Sequence, residues 1–290
     1  TFSEYWGWKK REFEYKGHKL WEMRDFSPSA QNFRNIYWQP DHFKAWRKSA
    51  YLEVGGHNPQ QAVCDDQDLC SRFYIKYGAK GFKHIDECLY MYRMHPQNSC
   101  IVYNQEVQDE TQKLYLTHIV AMAERWADDE GLSKMDFGGG LFPKEGYVSV
   151  DCRESASLCC DLNADWPIPD NSVGILRAFH LVEHLKDPIH TMNEAYRILA
   201  PGGFMFIDVP STDGRGAFQD PTHCSWWNEN SFQYYTNRDQ AVYIQPAYKG
   251  RFQLSTLYTY DMQPHVPVVR ADLIAVKAGY EEAAAGNILI

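Results

Sequence analysis

The chain of 290 residues carries a formal net charge of −9, with 44% hydrophobic and 15% aromatic residues. That length suits two domains of ordinary size, and that composition can build apolar cores. The acidic balance argues against bulk nucleic-acid binding, no apolar run is long enough to span a bilayer, and no signal peptide is visible.

Eight cysteines are scattered without a C-x-x-C pair, so neither a zinc site nor a disulfide framework is expected, and the sequence predicts no metal centre. A reducing cytoplasm is the expected setting. Thr1 is not an initiator, which predicts a start inside a longer reading frame or behind a removed tag.

In chain order, the first informative stretch is Ala45-Trp46-Arg47-Lys48-Ser49-Ala50-Tyr51-Leu52-Glu53-Val54-Gly55-Gly56-His57, followed by Asp65-Asp66-Gln67-Asp68-Leu69-Cys70-Ser71-Arg72. Acids clustered at a helix start favour the helix dipole, so Asp65 and Asp66 have a capping explanation that needs no catalysis. Together with Tyr92-Arg93-Met94-His95, these segments resemble the later half of a family 2 glycosyltransferase with the A-type fold. The resemblance implies a partial α/β domain over residues 1–104. Asp66 would be the general base on an acceptor hydroxyl, and His95, after a late strand, would lie near metal-bound nucleotide phosphates. Residues 1–35, with Tyr5, Trp6, Trp8, Phe13 and Tyr15, would be strands and connections from the middle of that fold. The family's amino-terminal half does not fit into the residues before the Gly55-Gly56 turn, which predicts a truncated module. An exposed sheet edge would then need cover from the second domain or from another copy of the chain, a homo-oligomer.

Residues 105–129 read as one connecting helix. Leu116, Ile119, Val120, Ala123 and Trp126 recur at three- and four-residue spacing, an apolar face expected to pack on one domain or both. Asp128-Asp129-Glu130-Gly131 ends it and marks the boundary.

Met135-Asp136-Phe137-Gly138-Gly139-Gly140, then Val148-Ser149-Val150-Asp151, reads as strand, glycine turn, strand, acid. Backbone N–H groups at such a turn approach a ligand without a Cβ in the way, and an acid ending the second strand accepts both ribose hydroxyls of an adenosine-containing cofactor. A dinucleotide fingerprint would open a helix and place its acid about twenty residues on. Here Leu141 to Tyr147 includes Pro143 and Gly146, so no long crossover helix can form, and NAD is the weaker reading. Further on, Asp161-Leu162-Asn163 sits where a third strand would end. Asp170 to His180 reads as a turn running into a fourth strand, Leu181-Val182-Glu183-His184-Leu185 leads into a helix, Pro201-Gly202-Gly203 stops it, and Phe204 to Pro210 reads as a buried strand.

That ordered series resembles the class I S-adenosylmethionine-dependent methyltransferases, type-11-like, over residues 130–279. The resemblance implies an α/β, Rossmann-like domain at residues 130–290, with a mostly parallel sheet and an antiparallel last strand. It implies S-adenosylmethionine as cofactor, with Asp136, Gly138, Gly139 and Gly140 in the cofactor loop, Asp151 on the ribose, Asp161 and Leu162 flanking the adenine, and His180 beside the methionine or sulfonium part. Phe252 to Tyr258 and Val268 to Val276 fit the hairpin that closes such a sheet.

The segment Ser211 to Asn228 leaves the end of a central strand and is expected to form the loop over the active site. Methyl transfer to oxygen needs a base, and histidine titrates in the right range. His223, oriented by Asp220, is the first candidate and His184 the second, although His223 has an alternative role in tying down the loop. Trp226, Trp227, Tyr234 and Tyr235 could stack on an acceptor or pack beneath the loop. The expected acceptor is a small molecule or glycan hydroxyl; the alternative activity is nucleotide-sugar-dependent glycosyl transfer.

Overall fold

The computed structural model describes residues 9–23, 28–33, 44–85, 87, 89–91, 93 and 95–280. Two units meet at a boundary between Trp126 and Ala127. Tyr5, Trp6, Trp8, Tyr92 and Met94 lie outside the described residues.

In the first unit, β1 (Lys9–Tyr15) and β2 (His18–Met23) pair antiparallel. Their two-residue turn puts Lys16 at φ 51° and Gly17 at φ 76°, the left-handed pair that matches the twist of a tight hairpin. Then come α1 (Lys48–Glu53), α2 (Asp65–Tyr77), the short α3 (Ser99–Val102) and α4 (Asn104–Asp129). Leu69, Phe73 and Tyr74 from α2 and Leu114, Tyr115, Ile119, Met122 and Ala123 from α4 are buried, and Tyr115 stacks on Phe33 with ring centroids 5.8 Å apart. The buried stripe of α4 is rotated from the expected one, because Tyr115 takes the inward position and leaves Leu116 41% exposed. Leu89, Tyr90, Met91 and Arg93 lie in no regular element, so the late strand expected before His95 is not formed at these residues.

The motif around Gly55 and Gly56 has a local physical reason. Arg72 donates from Nη1 to the carbonyl of Val54 and from Nη2 to that of Gly56 at 2.7 Å, while Nε and Nη2 also donate to Asp68 Oδ2 at 2.9 and 2.7 Å. One guanidinium thus pins the glycine turn to α2.

The second unit is built on a seven-stranded sheet in the order β5-β4-β3-β6-β7-β9-β8. These strands are β3 (Ser133–Phe137), β4 (Val148–Asp151), β5 (Leu158–Cys159), β6 (Val173–Phe179), β7 (Leu199–Pro210), β8 (Phe252–Gln263) and β9 (Val266–Ala275). The first five pair in parallel; β9 joins β7 antiparallel and β8 joins β9 antiparallel. The near-continuous apolar runs of β6 and β7 are buried except at Arg177, Phe179 and Pro201, as suits central parallel strands. No helix separates β3 from β4.

Helix α5 (Pro188–Ile198) starts on Asp187, whose side chain accepts from Ile189 and His190 N–H, with Pro188 at the first helical position. It ends at Ile198, before the Pro-Gly-Gly expected to stop it, because Leu199 already pairs with Val173 as β7 begins. Beyond β7 lie α6 (Gly216–Gln219), α7 (Glu229–Thr236) and α8 (Arg238–Ala241). No helix among the described residues is long and apolar enough to cross a membrane.

Candidate active site

Strand order reverses at β3: its chain continues outward to β4, while β6 lies on the other side. In open α/β sheets, ligands bind in the crevice at the carboxyl ends of the strands beside this switch. The glycine turn follows β3 there. Gly138 sits at φ 71° against Leu181, where an added Cβ would meet the leucine side chain at 2.9 Å; at Gly139 it would meet Asp136 Oδ2 at 2.7 Å. The turn therefore needs small residues for packing as well as for conformation.

Asp136, expected in the cofactor loop, is fully buried with both oxygens engaged. Oδ1 accepts from Arg177 on neighbouring β6 at 2.6 Å, and Oδ2 accepts from the Lys144 N–H at 2.8 Å. Its carboxylate ties the loop at Lys144 to Arg177 of β6. Asp151, at the end of β4, holds the glycine turn through Oδ2, which accepts from Gly140 N–H at 3.1 Å, while Oδ1 accepts from Arg153 N–H at 3.0 Å. Asp161 is exposed, and the N–H groups of Asn163 hold its carboxyl below the usual carboxylate range. Leu162, expected beside the adenine, is buried in the core next to Trp166, whose indole N–H donates to its carbonyl at 3.1 Å.

At the end of β6, His180 adopts φ 52° and its N–H donates to Asp208 carbonyl at 2.8 Å, turning the chain sharply into a 3₁₀ turn, Val182–His184. Burial holds the His180 imidazole below its ordinary pKa, with Asp208 opposing. The loop after β7 docks on that turn: Cys224 and Ser225 N–H both donate to Glu183 carbonyl, at 2.8 and 3.0 Å, and Ser225 Oγ donates to Val182 carbonyl at 2.8 Å.

This docking brings together His184 and His223, with rings edge-on and centroids 4.8 Å apart. His223 is oriented by the Ala217 carbonyl on Nδ1 at 2.9 Å, not by Asp220, whose Oδ2 lies 4.0 Å from the opposite nitrogen, Nε2. The correction is geometric, since Asp220 spends Oδ1 on Thr222 N–H and hydroxyl at 2.8 and 2.6 Å. Of the loop aromatics, Trp227 and Tyr235 are core residues, whereas Trp226 is 57% and Tyr234 38% exposed.

Residues 144–207 match the methyltransferase domain family. A curated S-adenosylmethionine-dependent methyltransferase from Mycolicibacterium smegmatis is 34% identical over 81 residues, 27% of this chain. The chain spans 29% of that protein's length in the match. That matched segment lies within the second unit. Among solved structures, a complex of the Haloferax volcanii Trm112 methyltransferase activator with a methyltransferase matches at 14% identity and TM-score 0.40, over 52% of this chain and 85% of that one. A Methanosarcina mazei S-adenosylmethionine-dependent methyltransferase matches at 10% identity and TM-score 0.37, over 50% and 92%.

Sequence reasoning passed over several residues of the second unit. Glu183 is 2% exposed beside both histidines. Arg177, Asp208, Arg270 and Asp272 form a charged seam across β6, β7 and β9, with Arg270 Nη1 3.4 Å from Asp208 and the Phe179 ring between Arg177 and Arg270, 3.9 and 4.7 Å from their guanidinium carbons. The available signal was a charge inside an apolar strand, which is costly unless paired.

In the first unit, Asp66 forms an ion pair with Lys44, and Asp68 lies between Arg72 and His118.

Proposed function

We propose that the methyltransferase domain moves a methyl group from S-adenosylmethionine to an oxygen of a small-molecule or glycan acceptor, with a sugar hydroxyl as the first choice. The observation that carries this reading is the Gly140 to Asp151 hydrogen bond, which joins the glycine turn to the acid ending β4 at the switch point. On this reading the backbone of Gly138, Gly139 and Gly140 borders the cofactor, Asp151 accepts the ribose hydroxyls, Asp161 borders the adenine, and His180 lies beside the sulfonium. The acceptor oxygen attacks in line: an O–C bond forms as the C–S bond breaks, and the sulfonium becomes a neutral thioether. The protein contributes alignment, exclusion of water and removal of the hydroxyl proton. His223 Nε2 is the candidate proton acceptor, since Nδ1 is tied to the Ala217 carbonyl. Trp226 and Tyr234 offer exposed aromatic faces for a sugar.

Calorimetric titration with S-adenosylmethionine and S-adenosylhomocysteine tests the cofactor assignment. Asp151→Ala removes charge-assisted hydrogen bonds of about 1.5–3 kcal/mol each, so affinity falls roughly 100-fold or becomes undetectable. No binding by the folded wild-type chain overturns the reading.

A second reading, nucleotide-sugar-dependent transfer by the first unit with Asp66 as base, is favoured by one observation: Arg72 makes the glycine turn and α2 a single motif. Against it, Asp66 already pairs with Lys44. Hydrolysis of a nucleotide sugar that disappears in Asp66→Asn supports it, and absence of nucleotide-sugar binding rejects it.

A further inference from the structure

Glu183, His184 and His223 each offer one ligand atom to a common point, and those atoms lie within 4.8 Å of one another. Glu183 is 2% exposed, yet its Oε2 has no hydrogen-bond partner. Its Oε1 lies 3.8 Å from His180 Nδ1 and 4.0 Å from His223 Nε2, beyond hydrogen-bond reach of either. A buried carboxylate oxygen left without a partner is costly and calls for an occupant.

Both histidines are held in the form a cation needs. His223 gives its Nδ1 proton to the Ala217 carbonyl at 2.9 Å, leaving the Nε2 lone pair toward Glu183. For His184, the Thr222 hydroxyl donates to Asp220 and so accepts at 3.0 Å from Nδ1, which leaves the lone pair on Nε2. Backbone and side-chain oxygens that fix the tautomer of a ligating histidine are the usual supporting contacts of metal sites. Asp220 Oδ2, 4.0 Å from His223 Nε2, is a further oxygen at the rim.

We propose that Glu183, His184 and His223 bind one divalent transition-metal cation, zinc in the first instance, at the acceptor side of the methyltransferase crevice. Two imidazoles and one carboxylate form the donor set of catalytic zinc sites, in which a fourth position stays open. Ligand atoms around zinc sit about 3.4 Å apart for bonds near 2.1 Å, so the three side chains close by about an ångström on binding. The site belongs to the crevice: Glu183 follows His180 at the end of β6, and Leu181 between them packs on Gly138 of the glycine turn.

This inference rests on the methyltransferase reading and revises one part of it. The open position takes the acceptor hydroxyl, whose proton passes to solvent as the oxygen becomes a metal-bound alkoxide. That oxygen then attacks the methyl carbon and the C–S bond breaks, with His223 serving as ligand and not as free base.

The test uses the tag-free full chain, stripped with a chelator and titrated with zinc and, for spectroscopy, cobalt. The expected result is one equivalent per chain with visible cobalt ligand-field bands, and affinity at least tenfold weaker in both Glu183→Gln and His223→Ala. Failure of the folded chain to bind either ion stoichiometrically overturns the proposal. So does binding unaffected by both variants, or intense near-ultraviolet sulfur-to-cobalt charge transfer that assigns the ion to cysteine. Calorimetry of the stripped chain with S-adenosylmethionine separates the two readings: cofactor binding without metal binding leaves the methyltransferase reading standing and removes only the cation.

Discussion

Asp68 in the first unit and Glu183 in the second are both buried carboxylates with histidine neighbours, but their surroundings are unlike. Asp68 Oδ1 pairs with His118 at 3.0 Å and Oδ2 with Arg72 at 2.7 Å, while Arg72 also holds the carbonyl of Gly56. These bonds hold the Asp68 carboxyl below its usual range against the opposing effect of burial. Among the described residues no cation stands within 3.5 Å of Glu183 and Oε2 has no partner, and burial pushes the carboxyl up to about 7. A buried acid whose charge is matched acts as a rivet. One left unmatched carries a standing cost that folding alone does not explain, and such groups gather where ligands bind.

The largest expected effect follows from breaking the rivet. Asp68→Ala leaves Arg72 and His118 facing each other without the charge between them, which costs on the order of 3 kcal/mol. Denaturant unfolding followed through the first unit's aromatic signal checks this, and a loss below about 1 kcal/mol would refute the assignment of Asp68 as a structural hub.

A comparable but pH-dependent effect belongs to Glu183. Because its folded-state pKa is raised, the folded chain binds the proton more tightly than the unfolded one. The associated stability is complete below pH 4.5 and is lost as pH rises toward 7, after which it stays flat. The magnitude is at most about 3 kcal/mol in metal-free protein. Wild type minus Glu183→Gln, measured by denaturant midpoint at several pH values, should show this falling slope. Parallel curves would show that the carboxyl titrates normally.

A smaller effect sharpens the comparison by separating loop anchoring from titration. The His223 loop ends in a capping box at α7, where Asn228 Oδ1 accepts from Ser231 N–H at 3.2 Å and Ser231 Oγ accepts from Asn228 N–H at 3.0 Å. Asn228→Ala should cost about 1 kcal/mol in a thermal melt while leaving the Glu183 pH slope unchanged.

Much of the second unit was legible in order and type, because its cues are local. Gly138 and Gly140 announce a turn with positive φ, Pro143 and Gly146 forbid a crossover helix, and the runs of β6 and β7 are too apolar to lie anywhere but at a sheet centre. The first unit was less legible. The acids opening α2 were legible, but the buried face of α4 depends on which side chain reaches Phe33, and spacing alone offered Leu116 where Tyr115 is used.

The sequence by itself determined the alternation of strand and turn, the acid ending β4 and the presence of His184 and His223, since each depends on backbone conformation or residue chemistry within a few positions. Tertiary structure alone decided what those groups face. Asp136 meets Arg177 only because β3 and β6 are neighbours in register, and Glu183 meets His223 only because the loop after β7 folds back onto the turn after β6. Such pairings join residues far apart in the chain, through sheet order and loop docking, and no local pattern encodes them.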